Sequence, residues 1–425
     1  MERENNCYGA NGGTGREGMK VRKLAVSVLQ VVIILSMLTG MWASVAKAAT
    51  EILDIGIATP LTGPAAHLGT MMKNGTLMAI DDQNQQGGVT IAGKKYILNG
   101  IVRDTKKDSA IGKAVAEELV YDKKVKVIIG PFLDDMVGVQ SVTEPNKVIG
   151  FFNVPAMPRL IGPEKPYTFF FGGIPLQMMV TGAAYIEKFY PSAKTVISMV
   201  PDTAALPLWE NAVKATCGRY GLNWLGDEKF PFGTTDFSPF ITRVLAKRPD
   251  IVETSSTGGS MGGLCAQLIK QLRQSGFKGI IWVPTTAPPG TVEQVVPKEY
   301  RIRIVTNDID WESPIVSKAY RDLCRGFQRK YNLVPIDMVG EVYNGVRPFF
   351  KFLDGQDSMD TTAWTKGFEK YHWPGIFGRE AFWVGKPIYG INRILLRNFW
   401  ASEYIDGKLE TRWEAPIPLE VFVEK

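Results

Sequence analysis

Between residues 52 and 306 short apolar runs alternate with stretches of helical period, and a chain written this way has few folds open to it. Residues 52–58 form an apolar run ending at Thr59-Pro60, and residues 69–86 then read as a helix closed by Gly87-Gly88. Residues 96–103 are the next strand. Asp108 follows as an N-cap, with Ile111, Val115 and Leu119 at four-residue spacing on one helix face. Residues 125–129 and 151–154 supply the third and fourth strands. Four strand–helix units in a row predict a parallel sheet covered by helices on both faces. After Gly172-Gly173 a second series begins. Its helices are expected at 176–189, 208–220, 240–247 and 264–274, and its strands at 195–200, 222–230, 251–255, 279–283 and 301–306. The pattern is then helical to residue 353, and the tail from residue 392 alternates like a hairpin around Asp406-Gly407. The fold class this predicts is α/β, with two doubly wound, Rossmann-like lobes.

A length of 425 residues fits that division, because one core rarely grows so large. With 45% apolar and 22% charged residues the chain is neither disordered nor collagenous nor polytopic in a membrane. The net charge is +6 and the basic residues are scattered, which argues against nucleic acid as a partner. Lys20, Arg22 and Lys23 precede the uncharged residues 24–42, and Ala46-Lys47-Ala48 follows as a small-x-small cleavage pattern. Residues 1–48 are therefore read as an export signal behind a non-native extension, with Met19 as the true start and a retained anchor as the alternative. The localisation expected is periplasmic. Cys217, Cys265 and Cys324 remain; at most one disulfide forms among them, and each sits in a helical stretch as a small buried apolar side chain. No metal site is expected, since His67 and His372 lack partners at ligand spacing.

Four segments carry a resemblance: Leu61-Thr62-Gly63-Pro64, Gly87-Gly88-Val89, Ile128-Ile129-Gly130-Pro131 and Gly233-Thr234-Thr235-Asp236-Phe237-Ser238-Pro239. In their order and spacing the chain resembles the Leu/Ile/Val-binding type of periplasmic solute-binding protein that serves ABC importers, over about residues 50–310. The resemblance implies a type I bilobed fold whose chain crosses between lobes three times. The crossings are placed near Gly172, Thr306 and Gly385. One lobe is then 49–173 plus 306–386, and the other 174–305 plus 387–425. It also implies a small-molecule ligand, a membrane permease as partner and no cofactor, and the protein is expected to be a monomer. Locally, Ser238 reads as the cap of a helix opened by Pro239. The loops at 61–69 and 130–135 follow strand C-terminal ends, where open α/β sheets bind ligands.

Relatives that hold an α-amino acid use a Ser, a backbone N–H and a Thr for its carboxylate. The matching positions here are Asp134, Pro155 and Met157. Proline has no N–H and an ionised Asp only accepts hydrogen bonds, so the carboxylate hole is absent. The ligand expected is larger and more apolar than a free amino acid. Leu68, Phe132, Met157, Leu206 and Trp282 are the candidate walls, and His67, Asp134, Asn153, Thr257 and Thr286 the candidate polar grips. Two other readings compete. Gly258-Gly259-Ser260-Met261-Gly262 fits a nucleophile elbow of a secreted serine hydrolase, with Asp308 or Asp337 and then His372 to complete it. A ligand-sensing ectodomain would share the lobes and need a signalling domain beyond Lys425. Phe169, Phe170 and Phe171 read as an inter-lobe strand or core, while Trp364, Tyr371 and Trp373 have no reading from the sequence.

Overall fold

Each run of alternating elements folds around its own sheet. The computed structural model describes residues 50–63, 65–132, 134–154, 158–203, 206–231, 233–255, 262–285, 289–415 and 417–423; the expected export segment, residues 1–48, lies outside them. The first series is β1 (Glu51–Thr59), α1 (Ala66–Gln85), β2 (Val89–Ile91), β3 (Lys94–Asp104), α2 (Ser109–Glu117), β4 (Val127–Ile129), α3 (Asp134–Thr143), β5 (Ile149–Phe152) and β6 (Thr168–Phe170). The second is α4 (Pro175–Phe189), β7 (Thr195–Pro201), α5 (Leu206–Arg219), β8 (Asn223–Phe230), α6 (Ser238–Ala246), β9 (Ile251–Glu253), α7 (Gly262–Gln274), β10 (Ile280–Val283), α8 (Pro289–Val295) and β11 (Ile304–Thr306). Then come α9 (Lys318–Tyr331), α10 (Asp337–Leu353), α11 (Thr361–Phe368), β12 (Trp373–Pro374), β13 (Glu380–Val384), α12 (Lys386–Tyr389), β14 (Ile394–Leu396), β15 (Trp400–Ile405), β16 (Lys408–Glu414) and α13 (Leu419–Phe422).

The nine-stranded sheet has the order β12-β13-β14-β6-β5-β4-β1-β3-β2, and the seven-stranded sheet β16-β15-β11-β10-β9-β7-β8. Both are parallel in the middle; the first is antiparallel at both edges and the second only at its β15–β16 edge, since β8 runs parallel to β7, and the central strands read as unbroken apolar runs. In β1, Ile55 and Ile57 face one core and Ala58 the other. The three phenylalanines alternate likewise: Phe169 and Phe171 join the first core and Phe170 the second, so they are ordinary strand packing. Asp108 caps α2 as expected, accepting from the N–H groups of Ala110 and Ile111. The unexplained aromatics close the sheet edge. Phe368 stacks on Trp373 at 5.6 Å and meets Trp383 edge-on at 5.5 Å, and Trp364 and Tyr371 pack around them. Cys217, Cys265 and Cys324 are buried, in α5, α7 and α9.

Three expectations need correction. The last crossing is not near Gly385. β14 pairs in parallel with β6 through Ile394 and Phe170, and antiparallel with β13, which keeps residues 394–396 in the first sheet; the chain leaves it only between Leu396 and Trp400. Nor does everything after residue 387 belong to the second lobe, because Phe422 of α13 is buried with Val384, Ile394 and Leu396 in a core of the first. The cap of α6 is also different. The helix begins at Ser238 itself, and the side chain of Asp236 accepts the Ser238 N–H at 3.0 Å.

Candidate functional site

The loop after β1 is held from below. Asp104, at the end of β3, accepts the Leu61 N–H at 2.7 Å, the Thr62 hydroxyl at 2.7 Å and the Lys106 N–H at 2.9 Å. Burial pushes its carboxyl up, but these bonds outweigh burial and hold it below the usual range. α1 can rest on this loop because Gly69 has no side chain: a Cβ there would lie 1.7 Å from the Pro60 carbonyl oxygen. The first turn of α1 then carries His67 to an inter-lobe groove and turns Leu68 into the core.

After β4, Asp135 is the structural member of the acidic pair. It accepts the Phe132 N–H at 2.6 Å and the Thr105 hydroxyl, and burial, partly offset by these bonds, raises its carboxyl to about 7. Asp134 is exposed and faces Lys107 at 3.7 Å. After β5, Asn153 donates its N–H to Pro131 at 3.2 Å and its carbonyl accepts from Gly172 at 2.8 Å. Its side-chain amide donates to Glu341 at 3.2 Å, so it is a buried link rather than a free grip.

A groove of about 850 Å³ opens where elements of both sheets meet. His67 and Met71 of α1 with Ile336 and Asp337 form one wall; Thr291, Lys298, Arg301 and Lys408 belong to the second lobe's side. Asp308 and Trp311, on the chain leaving β11, close the space between them. Asp337 is engaged by Arg397 at 3.0 Å, and Asp308 accepts the Thr306 hydroxyl at 2.8 Å. The turn at Asp406 and Gly407, both with positive φ, brings Lys408 to the rim, as only a tight hairpin does.

Of the residues expected from sequence, His67 lines this groove. Three expected walls are core instead. Leu68 and Phe132 pack in the first lobe, and Trp282 lies under α4 in the second, its indole filling the place where Gly182 has no Cβ. Leu206 is buried at the start of α5. Position near strand ends drew attention to these side chains, but strand alternation turns Trp282 inward and the buried faces of α1 and α5 take Leu68 and Leu206. Met157, Thr257, Thr286, Pro155 and Ser260 lie outside the described residues. Trp311, Arg301 and Ile336 were not anticipated, and Asp308 and Asp337 had been singled out only as acids for the hydrolase reading. The crossing after β11 was the available signal, since it must border any space between lobes. His372, the proposed hydrolase base, stacks on Phe382 at 4.6 Å and lies 3.3 Å from Glu380 at the edge of the first sheet. Among the described residues no group of three His, Cys, Asp or Glu is placed to hold a metal ion, and no helix is long and apolar enough to cross a membrane.

With this geometry in view, the chain was compared with known proteins. A family model described as "Periplasmic binding protein" matches residues 53–387. The Leu/Ile/Val-binding protein BraC3 of Rhizobium johnstonii is 27% identical over 51% of this chain and 58% of its own length. A leucine-, isoleucine-, valine-, threonine- and alanine-binding protein of Pseudomonas aeruginosa is 27% identical over 54% and 59%. The match thus spans under two thirds of these relatives. Among solved structures, an amino acid ABC transporter substrate-binding protein from Pseudomonas fluorescens superposes with a TM-score of 0.73 at 15% identity, covering 88% of this chain and 98% of that one. A solute-binding protein from Rhodopseudomonas palustris in complex with 3,4-dihydroxybenzoic acid gives a TM-score of 0.67 at 18% identity, over 84% and 95%. Both support the fold.

Proposed function

The chain belongs to the periplasmic binding protein family, and we propose that it captures a small organic solute, other than a free α-amino acid, between its two lobes and presents it to the membrane permease of an ABC importer. The observation that carries this reading is a groove of about 850 Å³ with walls from both lobes and a floor at the passage between them. A solute touching only one lobe would not favour closure. One touching both binds the closed state better and shifts the population toward it, so recognition and signalling to a permease need no bond made or broken.

The solute class follows from the residue at one expected carboxylate-holding position and from the groove's lining. The position where amino-acid-binding relatives place a donor for the carboxylate is Asp134, an exposed carboxylate facing Lys107. Its charge repels a second carboxylate. The groove offers Met71, Trp311 and Ile336 as apolar surface, with Arg301, Lys298 and Lys408 at the second lobe's side, which suits a body larger and more apolar than leucine with a polar end. The relatives and structural neighbours include proteins named for amino acids and others solved with aromatic acids, and this reading sets the chain apart from the first group. Native mass spectrometry of protein purified without refolding should show a bound small molecule. Titration calorimetry with L-leucine and L-valine should show no micromolar binding; heats that fit micromolar affinity for either would overturn the assignment.

A further inference from the structure

Three separate pieces of the first lobe and its hinge meet at one buried guanidinium. Arg397 sits in the last crossing, between β14 and β15, and is almost fully buried. Its fork reaches Asp337 at 3.0 and 3.4 Å and Glu341 at 2.5 Å, both in the first turns of α10. Phe377 and Phe399 pack against the same group, with ring centroids 4.6 and 3.9 Å from it. Asp337 lines the groove. The second carboxyl oxygen of Glu341 accepts from Asn153, a buried residue that follows β5.

The same few residues also lock the first crossing. Asn153 accepts the Gly172 N–H, and a Cβ on Gly172 would lie 2.7 Å from the Asn153 amide nitrogen. A Cβ on Gly173 would lie 2.6 Å from the Phe399 ring, so the first and last crossings are in contact through residues that themselves touch Asn153 or Arg397. The next residue, Asn398, is fixed by the Phe377 carbonyl and by Glu414, each at 2.9 Å. A charge this buried is costly unless every partner stays in place, so movement of one partner is felt by the others.

We propose that Arg397 is a positioning residue that ties groove-lining Asp337 and, through Glu341, the Asn153 loop after β5 to the last crossing, so that groove shape and lobe angle change together. The inference rests on reading the groove as the solute site, but its central prediction concerns the protein without solute. Asn153 does not touch Arg397; Glu341 stands between them. Removing the Asn153 amide should therefore loosen a crossing it never contacts.

The test is backbone hydrogen exchange on the full chain for wild type, Asn153→Ala and Glu341→Gln, with lobe separation followed by resonance energy transfer between dyes at K123C and K247C, two exposed positions on different lobes. Cys217, Cys265 and Cys324 are buried, and Cys7, outside the described residues, is replaced by serine in every sample so that the labelling is selective. Both variants should speed exchange at residues 397–399 roughly tenfold or more, the factor expected for losing a buried charge-assisted bond, and should broaden the distribution of lobe distances while exchange in β1 is unchanged. Glu341→Gln keeps an acceptor for Asn153 and serves where Asn153→Ala fails to fold. Unchanged exchange at 397–399 with a wild-type distance distribution, in whichever variants fold, would overturn the proposal, as would faster exchange confined to residues 150–154. Since no solute is added, these results stand apart from the calorimetry that tests the function itself.

Discussion

A side chain as small as a methyl group decides whether the mouth of the groove exists. At Gly69 the obstacle to any Cβ is the Pro60 carbonyl, a backbone atom that cannot rotate away. Gly69→Ala should cost about 1–3 kcal/mol in denaturant-induced unfolding and displace His67, whereas a cost near zero would mean the loop is free to retreat. Buried carboxyls form a second residue-scale feature. Burial raises Glu253, at the end of β9, to about 7 despite its bonds from Ser198 and Ser255. Its folded-state pKa lies above the unfolded value, so its contribution is complete below about pH 4.5 and is lost as pH rises toward 7. Glu253→Gln has no such loss. The variant's melting temperature relative to wild type should therefore rise between pH 5 and pH 8, and a difference that stays flat would place the ionised carboxylate comfortably in the core. Asp135, also raised to about 7, has the same sign.

Elements that repeat the strand–helix alternation were legible from residues alone, and those that break it were not. The parallel strands β1, β3, β4, β5, β7, β9, β10 and β11 announce themselves because burial on both faces demands unbroken apolar runs such as Val127–Ile129 and Ile280–Val283. The edge of the first sheet was opaque for the opposite reason. β12 has two residues, β13 five, and the short α12 interrupts them before β14, so no period is long enough to register. Their aromatic residues were visible but their partner, α11, was not, and the density made sense only once Phe368 was seen stacking on Trp373. Phe368→Ala should cost ~3–5 kcal/mol, because the ring touches several neighbours that cannot all collapse onto the gap. A loss below about 1 kcal/mol in equilibrium unfolding would show that α11 is peripheral to the lobe. The candidate site was the least legible part. Much of its lining comes from a crossing and a hairpin turn, and one residue decides whether a side chain faces the groove or the core, as adjacent His67 and Leu68 in the first turn of α1 illustrate.

At the scale of the molecule, the proposed clamp consists of two wound sheets joined by three passages of chain between their strands, with α13 returning from β16 to the first lobe, and the groove-lining Asp337 shares a partner with the last of those passages. The family assignment rests on residues 53–387, while the last crossing, the β15–β16 hairpin and α13 lie beyond that stretch and complete the groove and the first lobe's core. The measurement that tests the clamp most directly is small-angle X-ray scattering of the protein after its copurified solute has been removed and again after the identified compound is added back. The radius of gyration should fall and the distance distribution narrow on addition, with the change saturating at one solute per chain. A profile that does not move while calorimetry shows the compound bound, or a compound that emerges chemically altered, would contradict a closing receptor.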